Sequence, residues 1–482
     1  MNYNIIERKA TALCRRMAGI GLVCMVAVQG LSAKNVNVVD FGAVGDGSTL
    51  NTVSLQRAID SCAESGGGEV SVPPGRYVTG TIYLRSHVEL RLDRGAVLLG
   101  STDNPKDYPV RALIYAEGIE DAGISGHGII DGQARHPDFI AKGYKVNDGK
   151  RPLGIHFREC RRISLADFEI RDVGSWTIRL LRCEEVDIDG ISIFCLAQGN
   201  NDGIDVDARN VTISNCRIEC DDDGICMKSD TEDFLPENIT ITNCVIASNC
   251  NPIKFGTASR AGFRNITVSN CVIRRPSESN IWDWSKEYRG VAAGTLTGLA
   301  GIAVESADGG VIENLTFDNI VMDGIITPIF VCLNKRKGDK PGQIRNISFS
   351  NITAVAEGVI PCLITGMPGG RISGITLRDI RVEHNGGEQP MTERLPESNG
   401  YPENRMFGRR NPAGGLYIRH ADNILVDNFS IRQRNTDYRP PVVLDDVTDF
   451  RARELRTEGS ESAEMVQAIE CRQVMLDGRI LE

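Results

Sequence analysis

One short pattern recurs along most of the chain, a run of alternating apolar and polar positions followed by a small turn and a second apolar position. It reads RRISLADFEI, EEVDIDGISI, RNVTISNCRI, ENITITNCVI, RNITVSNCVI, ENLTFDNIVM, RNISFSNITA, SGITLRDIRV and DNILVDNFSI. The first apolar positions are Ile163, Val186, Val211, Ile239, Ile266, Leu315, Ile347, Ile375 and Ile424, spaced by 23, 25, 28, 27, 49, 32, 28 and 49 residues. The two longest gaps are expected to hold about two periods each. Alternation with Gly and Asn at the joints predicts short strands separated by tight turns. Units this small bury their apolar side chains only by stacking, so the predicted fold is all-β, a single-stranded parallel β-helix. Leucine-rich repeats share the period but need a Leu framework that is absent here.

The repeat assigns roles to residues that could otherwise mislead. Cys216, Cys244 and Cys271 fall in the slot that Ile191, Ile320, Ile352, Ile380, Phe168 and Phe429 fill elsewhere. They are expected as buried, stacked thiols rather than disulfides. Asn215, Asn243, Asn270, Asn319 and Asn351 precede that slot and are expected to form a turn ladder. The NIT and NVT sequons lie inside the repeat and read as structure. Two segments depart from it. Residues 51–65 have helical periodicity and end at Gly66–Gly68, which predicts a helix capping the N-terminal end of the core. Residues 385–415 are turn-rich and predict an inserted surface loop carrying Tyr401, Phe407, Arg409 and Arg410.

The first 33 residues stand apart. Arg15 and Arg16 precede an apolar run from Met17 to Val28, and GLSA ends at Ala33, which reads as an export signal too short to span a membrane. The expected product is one domain, 34–482, exported to the periplasm or beyond, monomeric and without stable membrane insertion. The chain carries a formal charge of −10; the leader holds four Arg or Lys and one Glu, so the remainder stands near −13. That balance argues against nucleic acid and anionic membranes as partners.

Candidate chemistry lies in NNDGIDVDARNVTISNCRIECDDDGICMKSD, residues 200–230. Upstream of each NVTI-type strand is another short strand, and if Ile178, Ile204, Ile225, Ile253 and Ile302 point inward, Trp176, Asp202, Asp223, Asn251 and Ala300 stack two positions before them. Adjacent rungs lie about 4.8 Å apart, which makes Asp202 and Asp223 neighbours. Strict alternation would bury Asp222 or Asp223, so a bend or bulge is expected just before Gly224. The outward column is Arg179, Asp205, Cys226, Lys254 and Ala303, and two positions on come Leu181, Asp207, Lys228, Gly256 and Glu305. Carboxylates so crowded cannot all ionise freely, so their pKa values should separate. Glycoside hydrolysis needs that division, and inverting enzymes keep acid and base about 6.5 to 9.5 Å apart, a span compatible with a diagonal across one rung.

At these residues the sequence resembles family 28 glycoside hydrolases, the polygalacturonase and rhamnogalacturonan hydrolase group, through NNDGID (200–205) and DDDGICMKSD (221–230). The N-terminal VVDFGAVGDGSTLN segment, GHGIIDGQ (126–133) and YPENRMFGRRNPAGGLYIRH (401–420) extend the likeness over nearly the whole mature chain. The resemblance implies a right-handed β-helix and a pectic oligo- or polysaccharide substrate; the sequence itself shows no cofactor motif, no metal-ligand spacing of His and Cys and no nucleophile triad, so no cofactor or metal is expected. It implies Asp222 as general acid, and Asp202 with Asp223 holding the attacking water as base. Two motifs depart from the family. Asn251 stands where its GHG motif has His, and Ala303, Val304 and Glu305 stand where it has Arg-Ile-Lys; His127, in a GHG several coils too early, reads as a turn residue. These losses favour a sugar or linkage other than ordinary homogalacturonan, with Lys254 and Lys228 as replacement positive charge. Asn251, Asp205 and Arg179 complete the expected substrate contacts.

Trp282, Trp284, Tyr288, Tyr401 and Phe407 lie in the long gaps, either stacking on sugar faces or packing their loops against the coils. Two other readings fit the pattern less fully: a calcium-dependent polysaccharide lyase using the Asp cluster, and a non-catalytic glycan-binding β-helix.

Overall fold

The computed structural model describes residues 34–103, 106–137, 151–279, 286, 288–338, 341–391, 393–398 and 400–481. The leader 1–33, Trp282 and Trp284 lie outside them. The alternation becomes strands, and the strands pair in parallel from rung to rung in three ladders around one apolar core, forming a right-handed parallel β-helix. The first ladder runs Ile178, Ile204, Ile225, Ile253, Ile302. The second runs Val186, Val211, Ile239, Ile266, Leu315, and the third Ile193, Ile218, Ile246, Ile273, Met322. Stacking like on like lets every coil bury its inward side chains against the coils on either side.

Asn residues turn the chain between ladders. Asn215, Asn243, Asn270, Asn319 and Asn351 all have φ between 52° and 58°, a left-handed conformation that Asn tolerates better than most residues. Asn319 Nδ2 donates to Asn270 Oδ1 at 2.8 Å, while Asn351 turns instead to Asp318 at 2.8 Å. A second amide column, Asn210, Asn238, Asn265, Asn314 and Asn346, is linked by bonds of 2.7 to 3.2 Å. The Cys slot stacks as expected, Cys271 on Ile320, Ile352, Ile380 and Phe429, and all thirteen described cysteines are free thiols.

The two long gaps are single coils, which corrects the expectation of two periods each. Ile266 pairs directly with Leu315, and Ile375 with Ile424. The surplus chain leaves as loops 274–297 and 387–415, each departing after the third ladder and rejoining the first. Sharing one corner, they meet: Tyr288 donates to Asn404 Oδ1 at 2.7 Å and Arg289 pairs with Glu388. Together they cover the outward face of the later coils, where Phe330, Leu363, Tyr417 and Val443 are buried in a second cluster with Tyr288, Leu395, Phe407 and Ala413. Tyr288 and Phe407 therefore pack these loops onto the coil.

At the N-terminal end, helix α1 (Thr52–Glu64) lays Leu55, Ala58, Ile59 and Cys62 on the first coil. Asn51 before it does not cap the helix; its amide holds the preceding turn through Val44 N at 2.7 Å and Val44 O at 3.0 Å.

Candidate active site

The first ladder carries the acids, and its backbone explains why they meet. Thr177 N donates to Asp202 O at 2.9 Å, Gly203 N to Asp223 O at 2.8 Å, and Gly224 N to Asn251 O at 2.9 Å. Asp202, Asp223 and Asn251 thus occupy equivalent points on consecutive rungs. One rung ends at Cys220 and resumes at Ile225, so a turn rather than a bulge within a strand separates the three Asp. In that turn Asp222 accepts from the next amide, Asp223 N, at 2.9 Å, and Asn200 Nδ2 approaches its other oxygen at 3.4 Å. Asp222 and Asp223 then open onto one cavity of about 600 Å³, which Asp202, Asp205, Arg179, Lys228, Asn251, Lys254 and Tyr401 also line. Asp221 faces away, buried against Asn249 at 2.9 Å and Ser279 at 3.2 Å, where it ties loop 274–297 to the coil.

The register makes each DG pair intelligible. A Cβ on Gly203 would lie 2.4 Å from Gly224 O, and one on Gly224 would lie 2.4 Å from Pro252 O and 2.7 Å from Ile246 Cγ2. The glycines let successive rungs close up beneath the carboxylates. Gly224→Ala is expected to cost about 1 to 3 kcal/mol through overpacking, lowering the melting temperature and, by tilting Asp223 off its rung, hydrolysis as well. A melting temperature and activity equal to the parent's would contradict this account.

Cations sit among the acids. Lys254 Nζ lies 3.2 Å from Asp223 Oδ2 and 4.0 Å from Glu305, while Lys228 Nζ lies 3.4 Å from Asp205, 3.7 Å from Asp202 and 3.9 Å from Asp223. Asn251 Nδ2 donates to Asp223 Oδ1 at 2.9 Å, and its own Oδ1 accepts from Ala300 N at 3.2 Å. Burial alone would raise the Asp223 carboxyl, but Lys254, Lys228 and the Asn251 amide hold it below the ordinary carboxylate value. Asp222 is pushed up to about 6, by burial first and then by the Asp223 charge. Burial, with Asp205 and Asp222 beside it, raises Asp202 well above its usual range. Burial raises Glu305 to about 7. The cluster therefore sorts itself into one firmly ionised carboxylate, Asp223, and three carboxyl groups, Asp222, Asp202 and Glu305, that hold protons more readily.

Asp222 and Asp223 offer oxygens within 4.8 Å of each other. That is closer than the 6.5 to 9.5 Å expected of an inverting acid and base with water in the gap. Cys250 is also within 4.8 Å of both, but the ammonium of Lys254 already supplies the counter-charge that a divalent ion would bring.

Around the acids stand Arg179 and Tyr401, expected from the sequence, and Arg151, Glu403, Arg405 and Arg336, which were not. Arg151, 1% exposed, donates to Asn200 Oδ1 at 3.0 Å and to Gly174 O at 3.0 Å, steadying the amide that faces Asp222. Arg179 pairs with Asp230 at 2.8 Å and lies 4.5 Å over the Trp176 ring. Tyr401 reaches Thr257 at 2.6 Å, which brings loop 387–415 down beside the acids. Glu403, Arg405 and Arg336 complete that wall. For Glu403 and Arg405 only the long spacing between repeats gave a hint, and for Arg336 nothing did, because no local pattern says where a loop will fold back.

The stacked rungs with their carboxylate-lined groove define a parallel β-helix bearing an acid-base site. The model of "Glycosyl hydrolases family 28" matches residues 62–279. That stretch, which carries Asp202, Asp222, Asp223, Asn251 and Lys254, is where the chain resembles this family. It is 31% identical over 230 residues to "Probable polygalacturonase" of Vitis vinifera, covering 42% of this chain and 46% of that one. It is 27% identical over 305 residues to "Exo-poly-alpha-D-galacturonosidase" of Dickeya chrysanthemi, covering 50% of each. The chain spans about half the length of these two curated relatives. Among solved structures, the hyperthermoactive exopolygalacturonase of Thermotoga maritima superposes with a TM-score of 0.61 at 23% identity, over 73% of this chain and 88% of that one, and shares the fold.

Proposed function

We propose that this protein is an exported glycoside hydrolase that cleaves a galacturonate-containing pectic chain with inversion, working from a chain end. The observation that carries the reading is the pairing, in one cavity, of an ionised Asp223 with an Asp222 that keeps its proton to about pH 6. Asp222 gives its proton to the oxygen leaving C1. Asp223 takes a proton from water, whose oxygen bonds to C1 from the opposite face as the old bond breaks, and Asp202 steadies that water. Exchange with solvent then restores both groups.

Chain-end action rests on the loops, since 274–297 and 387–415 bury the outward face of the later coils and 387–415 walls the cavity with Tyr401, Pro402, Glu403 and Arg405. The Dickeya chrysanthemi relative, named an exo-acting galacturonosidase, is consistent with it. A lyase would need a metal where Lys254 and Lys228 already neutralise the cluster. Pectic fragments digested with the purified protein should yield the smallest products first, with inverted anomeric configuration by proton NMR. A ladder of intermediate sizes would refute end action, retained configuration would refute the inverting assignment, and unsaturated, ultraviolet-absorbing products would replace hydrolysis by elimination.

A further inference from the structure

We propose that Arg151 is a positioning residue of the hydrolase, acting through Asn200 to keep the proton of Asp222 aimed at the leaving oxygen. This rests on the hydrolase reading and adds to it a side chain buried behind the cavity wall.

Arg151 sits where two turns meet. Its guanidinium donates to Gly174 O at 3.0 Å, to Gly199 O, and to Asn200 Oδ1 at 3.0 Å. Asn201, also fully buried, ties the same turns together: its Nδ2 donates to Val173 O at 2.9 Å and to Ser175 O at 2.8 Å, and its Oδ1 accepts from Gln198 N at 2.7 Å. The turn that leads into Asp202 is thereby fixed against the turn of the preceding rung. From it Asn200, with φ at 56°, enters the cavity lining with its amide facing Asp222.

An amide has a donor end and an acceptor end of nearly the same shape, so its direction is set by its partners. A guanidinium carries only donors. Arg151 can therefore hold only the oxygen end of Asn200, and the nitrogen end is left for Asp222 Oδ2, 3.4 Å away. The other oxygen of Asp222 accepts from Asp223 N at 2.9 Å. With donors against both oxygens, the proton of the neutral carboxyl is left to face the cavity. Turned over, the amide would present its oxygen to Asp222 and take that proton into a hydrogen bond, while its own N–H groups met the donors of Arg151. The other groups facing Asp222 are Cys220, Asp221 and Asp223 around its own turn, Asp202 one rung before, Lys228 on the strand that follows, and Cys250 and Lys254 one rung on. Substitutions at Arg151 and Asn200 leave all of them in place.

The test uses the full-length protein with pectic oligosaccharides and reads kcat and kcat/KM against pH. Arg151→Met is expected to lower kcat about tenfold, the factor that one diverted hydrogen bond commands. It should also move the alkaline limb to higher pH, because an acceptor facing the carboxyl favours its protonated form. A turn that had merely loosened would slow the reaction without that upward shift. In an Asn200→Ala background no amide is left to turn over, so there Arg151→Met should change kcat by less than about threefold. Arg151→Lys keeps a donor for Asn200 Oδ1 and should stay within about threefold of the parent with its alkaline limb unmoved; it decides the matter if the Met variant does not fold. A Lys variant as slow as about tenfold, an equal Arg151→Met loss in both backgrounds, or a Met variant whose alkaline limb stays in place overturns the inference, while hydrolysis by the parent keeps the hydrolase reading. A parent that releases no new reducing ends beyond those of an Asp222→Asn control removes both together.

Discussion

Asp222→Asn is expected to lower kcat by about 10³-fold, within the 10² to 10⁴ that general acid catalysis supplies, while melting close to the parent temperature. The amide keeps the shape of the carboxyl but has no proton to give the leaving oxygen. The same residue sets the alkaline side of the pH profile. Its carboxyl is pushed up to about 6, so the active, protonated form is lost as pH rises through that value. On the acid side, Asp223 is held below the ordinary carboxylate value, so its ionised form persists until pH falls beneath that range. The profile of kcat/KM should therefore peak in mildly acidic solution, and Asp222→Asn should flatten its alkaline limb. An unchanged limb in the variant would assign that titration to another group.

Lys254→Met should damage both stability and chemistry. The methionine fills the space of the stem but leaves Asp223 and the buried Glu305 without the ammonium 3.2 and 4.0 Å away. Removing one partner of a buried ion pair costs about 3 to 5 kcal/mol, which a denaturant titration would register as an earlier midpoint. The linkage has a definite sign. Because the folded-state pKa of Asp223 is depressed, its contribution is present above the ordinary carboxylate pKa and is lost as pH falls below it. In the variant that contribution shrinks, so the stability difference between the two proteins should narrow in acid. Asp223 would also hold its proton to higher pH, shifting the acid limb of the rate profile upward. Had Lys254 served mainly to grip an acidic substrate, the variant would instead raise KM with stability and the acid limb unchanged. Those two results separate the roles.

The contrast between what was readable and what was not follows particular residues. The stack of Asp202, Asp223 and Asn251 came from counting two positions back from each inward Ile, because a period-two strand in register with its neighbours leaves no freedom. The Cys slot was legible for the same reason. Lys254 was placed correctly on the outward column, yet its partner Glu305 sits one strand further on and 51 residues away, so its engagement emerged only from packing. The expected two periods within each long gap failed because spacing records chain length and not where the chain travels; pairing of Ile266 with Leu315 showed one coil and a detour.

By itself, then, the sequence determined the coil, its core and the line along which the acids stack, since these follow from local alternation repeated at a fixed period. Tertiary structure alone decided which acids are ionised, which cations pair with them, and how loop 387–415 comes down to wall the cavity. Those outcomes depend on distances between side chains far apart along the chain, and electrostatic and packing energies are set by such distances rather than by the order of residues.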